Sequence, residues 1–247
     1  SILIYLIPIF LLTGPFLPDL TISISGLIFI FVTIKQKNYK YYNNNAFLFY
    51  IAFCVTCIIS SLLSKDILYS LSSSFFYFRF GIFALVVWYL LDNNKNFLKV
   101  FFIFIFFAYC LSYIDGLYQY NHGYSMLGFK SIPGRMSLVF NDKMLLGGYL
   151  VRTLPLLIGL LICNFSFSKI YIVISSLILI STDILIYLTG ERTAIGLLLI
   201  STVMIIVLVN KFKYIRIVTF CITILILTII TINNPIVKNR NIDTTLN

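Results

Sequence analysis

The sequence predicts an all-α fold, a polytopic transmembrane helical bundle of about nine spans, and three observations lead there. Hydrophobic residues make up 60% of the 247-residue chain against 11% charged ones. With a mean hydropathy of +1.02, that is more apolar surface than one soluble core can hide. Apolar runs long enough to cross about 30 Å of hydrocarbon recur from end to end, and short segments of Asn, Lys, Gly, Pro and Asp separate them. Lipid offers bare backbone groups no partner, so each run is expected to be helical.

Taken in order, the runs place spans near 2–13, 20–34, 46–63, 72–91, 97–114, 144–163, 170–188, 194–209 and 217–232. The first two are short and flank Thr13-Gly14-Pro15-Phe16-Leu17-Pro18-Asp19. A re-entrant helical pair is therefore an alternative to two full crossings at that point. With the N-terminus inside, the segments after the second, fourth, sixth and eighth spans are cytoplasmic. They hold Lys35, Lys37 and Lys40, then Lys95 and Lys99, then Lys169, then Lys211, Lys213 and Arg216, nine basic residues in four short segments. The outside segments are longer in total, yet carry seven basic residues and six of the eight acids. This bias sets the orientation.

The same rule accounts for the net charge of +10, so no nucleic-acid partner is implied. Cys54, Cys57, Cys110, Cys163 and Cys221 all fall inside or at the edge of apolar runs, where a thiol behaves as a small hydrophobe. Cys54 and Cys57 form a CxxC without a second pair or a nearby histidine, a poor metal site. No metal is expected. The chain opens on Ser1 and stops at Asn247 just beyond the last span. It reads as a single transmembrane domain, 1–247, truncated at its C-terminus, with no internal repeat. The first apolar run can serve as a signal anchor.

Chemistry is expected in the outward-facing polar segments. The longest runs from Asp115 to Lys143 and contains His122, Lys130 and Ile132-Pro133-Gly134-Arg135-Met136-Ser137-Leu138-Val139-Phe140-Asn141-Asp142-Lys143. Gly and Pro set a turn there, and the planar guanidinium of Arg135 suits phosphate oxygens. A solvated loop arginine is the plainer reading, and a solvated loop histidine that of His122. The second segment is Leu188-Thr189-Gly190-Glu191-Arg192-Thr193-Ala194-Ile195-Gly196. Gly190 lets the chain turn and Thr193 can cap the helix that follows. Arg192 then sits at the positive end of that helix, where an anion is also favoured. Arginines also commonly mark helix ends at the interface.

Those residues carry a resemblance. The Gly-Arg-Met-Ser-Leu-Val-Phe-Asn-Asp stretch running into Leu146-Gly147-Gly148-Tyr149-Leu150 and Leu154-Pro155-Leu156, then Thr189-Gly190-Glu191-Arg192-Thr193-Ala194, resembles the bacterial O-antigen ligase and polymerase family. Leu12-Thr13-Gly14-Pro15 with Pro18-Asp19 is similar too. The resemblance implies a membrane glycosyltransferase of the bacterial inner membrane with its active face in the periplasm. A glycan would leave an undecaprenyl diphosphate carrier and join a lipid A core sugar or a growing polysaccharide, as in lipopolysaccharide biosynthesis. It further implies that Arg135 and Arg192 hold the carrier's diphosphate, with no cofactor. The family's catalytic histidine, in a later periplasmic loop, does not carry over to His122, which precedes both arginines. The general base is expected beyond Asn247, and this stretch alone is expected to be inactive. A lipid-linked glycan flippase and a non-catalytic membrane subunit are the alternatives.

Two further expectations concern side chains. Arg79, Arg152 and Asp183 lie inside apolar spans, where charge is costly enough to suggest function. Each lies roughly 8 to 12 Å below the outer end of its span. They are expected to form one polar layer under Arg135 and Arg192, with Asp183 paired to Arg79 or Arg152; a purely structural ion pair is the alternative. Most of the 24 Phe and 17 Tyr are lipid-facing bulk or interfacial anchors. Tyr118, Tyr120 and Tyr124, in the outer loop, are the candidates for glycan contact.

Overall fold

The computed structural model describes residues 1–130, 135–140, 145–165 and 168–235. These residues form ten α-helices: α1 (Ile2–Thr13), α2 (Phe16–Lys35), α3 (Asn45–Leu62), α4 (Ile67–Ser74), α5 (Phe78–Asn93), α6 (Phe97–His122), α7 (Leu146–Asn164), α8 (Lys169–Thr189), α9 (Arg192–Leu208) and α10 (Lys213–Asn233). Among the described residues, a helix forms the body of every expected span, and seven stretches are long and apolar enough to cross a membrane, with α4 and α5 counted as one. α1 and α9 are apolar but shorter. At about 1.5 Å per residue, the 12 residues of α1 reach only about 18 Å.

The chain divides into two compact units. One comprises Ser1–Phe10 and Gly14–Phe97, the other Leu11–Thr13 and the chain from Leu98 on.

In the first unit, α2 packs on α5. The face that α2 buries is small and polar, with Thr21, Ser25, Gly26 and Thr33 around Phe29. Small residues let helices approach where lipid removes any hydrophobic drive between them. Asn44 caps α3, its Oδ1 accepting from the Phe47 amide at 2.8 Å. α3 and the turn after it meet α4 through serine pairs, Ser61 with Ser74 and Ser64 with Ser70, each at 2.8 Å. The run expected as one span at 72–91 begins earlier and is interrupted by a 3₁₀ turn at Phe75–Tyr77. Ser72 and Ser74 bond back to the carbonyls of Tyr69 and Ser70, and such side-chain bonds compete with regular helix.

In the second unit, α7 is the central helix. Leu146, Leu150, Leu154, Leu157, Ile158 and Leu161 are buried along it at helical spacing, and α8 and α9 pack against it. α6 joins through phenols. Tyr109 Oη donates to the Leu150 carbonyl at 2.8 Å, and Tyr113 Oη lies 2.6 Å from Thr182 Oγ1. α10 lies along α8, with Tyr187 Oη 2.8 Å from Thr231 Oγ1. Its opposite face exposes Val218, Leu225, Ile229 and Ile232, a stripe suited to lipid.

α6 runs eight residues past the expected end of its span at 114. Its final turns are polar in sequence, but Ser112, Asp115 and Gln119 recur at helical spacing and are all buried. Buried polar groups with partners, rather than apolar bulk, hold that part of the helix.

Candidate functional site

The polar end of the second unit is where α6 and α8 finish and α7 and α9 begin. Gly190 ends α8 with φ 68°, in the left-handed region that costs glycine nothing. α9 starts at once at Arg192, with Glu191 as its N-cap. Thr193 therefore lies within the first turn rather than capping it. Glu191 does not cap its own helix either. Its carboxylate reaches across to the start of α7, accepting from the Gly147 amide at 2.8 Å and the Gly148 amide at 3.0 Å. A carboxylate on the first amides of a helix satisfies orphan donors and the helix dipole together. Gly147 is required for this approach, because a Cβ there would lie 2.7 Å from Thr189 Oγ1 and 2.9 Å from Ala194 Cβ.

The segment 135–140 docks beside this clamp. Met136 donates its amide to the Leu188 carbonyl at 3.2 Å, which sets Arg135 against the end of α8, just before the turn that carries Arg192. Arg135 is half-buried and Arg192 exposed. The two arginine-bearing stretches thus share one end of the unit. Residues 132–134 and 141–143 of the longer stretch lie outside the described residues, as do 236–247 near the chain's end.

Gln119 fastens the same segment from below. Its Oε1 accepts from the amides of Ser137 and Leu138 at 3.2 and 3.1 Å. Leu138 is fully buried and holds φ at 50°, a region that costs a branched side chain energy unless its surroundings enforce it. One turn earlier on α6, Asp115 accepts from the Met126 amide at 2.6 Å, tying down the loop in which Tyr124 bridges to Lys130. Gln119, Asp115 and Glu191 all organise this end, and none was picked out from sequence. The signal available was the spacing of Asp115 and Gln119 on one helix face.

Of the three tyrosines, two come together. Tyr118 stacks on His122 with ring centroids 4.2 Å apart, and Tyr124 closes edge-on to both. His122 Nδ1 lies 3.1 Å from the Tyr118 carbonyl. His122 is thus partnered, because α6 continues far enough to place it one turn above Tyr118. Tyr120 faces away, lining a cleft of about 270 Å³ with Tyr113, Gly116, Leu117, Met136 and Leu188.

The expected polar layer needs correction. Asp183 pairs with Arg216, not with Arg79 or Arg152. Arg216 Nη1 donates to Asp183 Oδ2 at 2.8 Å and Nη2 to Oδ1 at 3.1 Å, with the side chains 0% and 1% exposed. Arg216 also donates to Thr202 on α9, and Thr223 donates to Asp183 at 3.3 Å. Arg216 was assigned to the basic cytoplasmic loop because it follows Lys211 and Lys213. It lies one turn inside α10, and its long stem carries the guanidinium along the helix to Asp183. Arg79 belongs to the other unit and pairs with Asp19 at 3.0 Å. Arg152 is on the exposed face of α7 and takes no part.

Among the described residues, no group of three or more His, Cys, Asp or Glu side chains is arranged to hold a metal ion. No protein-family model, curated protein or solved structure matches the chain.

Proposed function

We propose that this membrane protein transfers a glycan from an undecaprenyl diphosphate carrier to a lipid A core sugar or a growing polysaccharide, at the periplasmic face of a bacterial inner membrane. The observation that carries this reading is the fastening of two arginine-bearing segments at one polar end of an apolar bundle, through Glu191 on the α7 amides and Met136 on Leu188. A diphosphate leaving group gathers negative charge as its bond to the sugar breaks. Guanidinium groups held at fixed positions stabilise that charge as it develops. The acceptor hydroxyl attacks the anomeric carbon, the bond to the diphosphate oxygen breaks with its electron pair, and the acceptor proton passes to a base. Arg135 and Arg192 are assigned to the diphosphate. Tyr118 and Tyr124 are assigned to the glycan, as rings in edge-to-face contact near the same end of α6.

The test is complementation of a ligase-deficient bacterium with the intact gene, carrying Arg135→Ala or Arg192→Ala. Surface glycan is expected to fall and carrier-linked glycan to accumulate while the variants still insert. Undiminished surface glycan from both variants would overturn the assignment.

A further inference from the structure

Among the described residues, two polar groups at this end have no hydrogen-bond partner, Gln119 Nε2 and Ser137 Oγ, on residues each only 2% exposed. They belong together, since Gln119 Oε1 is bonded to the amide of Ser137 itself. The same bond settles which end of the carboxamide is open. Oε1 faces two main-chain N–H donors, so the unpaired end is the NH₂, which can only donate. Buried donors left unpaired are uncommon and ask for a ligand or water to complete them.

We infer that Gln119 Nε2 and Ser137 Oγ form a buried donor subsite, next to Arg135 in the chain, for an oxygen of an anionic phosphate group. The inference rests on the reading above and extends it, naming two neutral donors beyond the arginines. An acceptor oxygen is required because the carboxamide offers only N–H. Of the acceptors available, an anionic oxygen fits best, because Arg135 lies two residues before Ser137 and Asp115, the nearest acid on α6, is engaged by the Met126 amide. The enforced backbone at Leu138 holds the Ser137–Leu138 amides against Gln119, so the donors are positioned before any ligand arrives.

Gln119→Glu separates this role from a structural one. The substituted side chain keeps an oxygen for the Ser137 and Leu138 amides but replaces the NH₂ by a second oxygen that repels phosphate. Ser137→Ala removes only the hydroxyl. Binding is measured on the intact protein in lipid nanodiscs, using polyprenyl diphosphate and, separately, inorganic pyrophosphate. Gln119→Glu is expected to weaken polyprenyl diphosphate binding at least about tenfold, the worth of one bond to a charged group. Ser137→Ala is expected to weaken it severalfold. Weakening in the lipid arm alone marks a membrane-anchored diphosphate, and weakening in both arms a free phosphate as well. Wild-type binding by both variants, alongside loss in Arg135→Ala, would overturn the subsite and leave the arginine assignment standing. Equal binding by all variants, Arg135→Ala included, would overturn both. Should Gln119→Glu fail to fold, Ser137→Ala alone decides between these outcomes.

Discussion

Arg216→Met is the sharpest perturbation of the fold. Arg216 makes two bonds to Asp183, at 2.8 and 3.1 Å, in a site from which both side chains are excluded from solvent. Bonds to charged groups contribute about 1.5–3 kcal/mol each. Removing one partner of a buried pair also strands the other charge, and the combined cost is about 3–5 kcal/mol. Asp183→Leu should cost about the same, because it strands Arg216 beside Thr202. The double variant Asp183→Leu/Arg216→Met removes both charges and should cost no more than either single change, giving a coupling of about 3 kcal/mol or more. Reversible unfolding in mixed micelles with rising SDS, followed by loss of helix signal, reads all four corners of the cycle. Single effects that add within about 0.5 kcal/mol would refute the reasoning, since the pair would then not be the partner that each charge requires.

Glu191→Gln should weaken the closure of the α7 N-terminus by about 1.5–3 kcal/mol, seen as at least about tenfold faster hydrogen exchange at the Gly147 and Gly148 amides. Gly147→Ala should produce the same opening by a different route, because its methyl meets Thr189 and Ala194. Tyr109→Phe removes phenol bonds to Leu150 and Thr153 and should cost about 0.6 kcal/mol, and no more than about 1.7 kcal/mol, in the same micelle assay, the average and the maximum for interhelical bonds in membranes. Tyr118→Ala should raise KM for the glycan donor and leave kcat nearly unchanged, as measured in a reconstituted transfer assay, because it removes a contact surface rather than a reacting group.

The bundle was legible because lipid makes the length of an apolar run a direct readout of a helix. The run 170–188 became α8 at Lys169–Thr189, and 217–232 became α10 at Lys213–Asn233. Reading failed where polar residues face inward. α6 continues to His122 because Asp115 and Gln119 have partners above them, which composition alone reports as a loop. Arg216 was misread for a related reason. Its position beside Lys213 marks an interface, but only the packing of α8 on α10 reveals a carboxylate within reach of its side chain. The two arginine stretches were legible as motifs, whereas the groups that position them act on backbone amides: Glu191 leaves no residue pattern to recognise, and Gln119 only its spacing from Asp115 on one helix face.

Glycan transfer by the purified intact protein in proteoliposomes, with an undecaprenyl diphosphate-linked glycan and a lipid A core acceptor, tests the central claim most directly. The account predicts product from the wild-type protein, and loss of product at unchanged helix content when Arg135→Ala and Arg192→Ala are combined. Transfer by the double variant at the wild-type rate would contradict it.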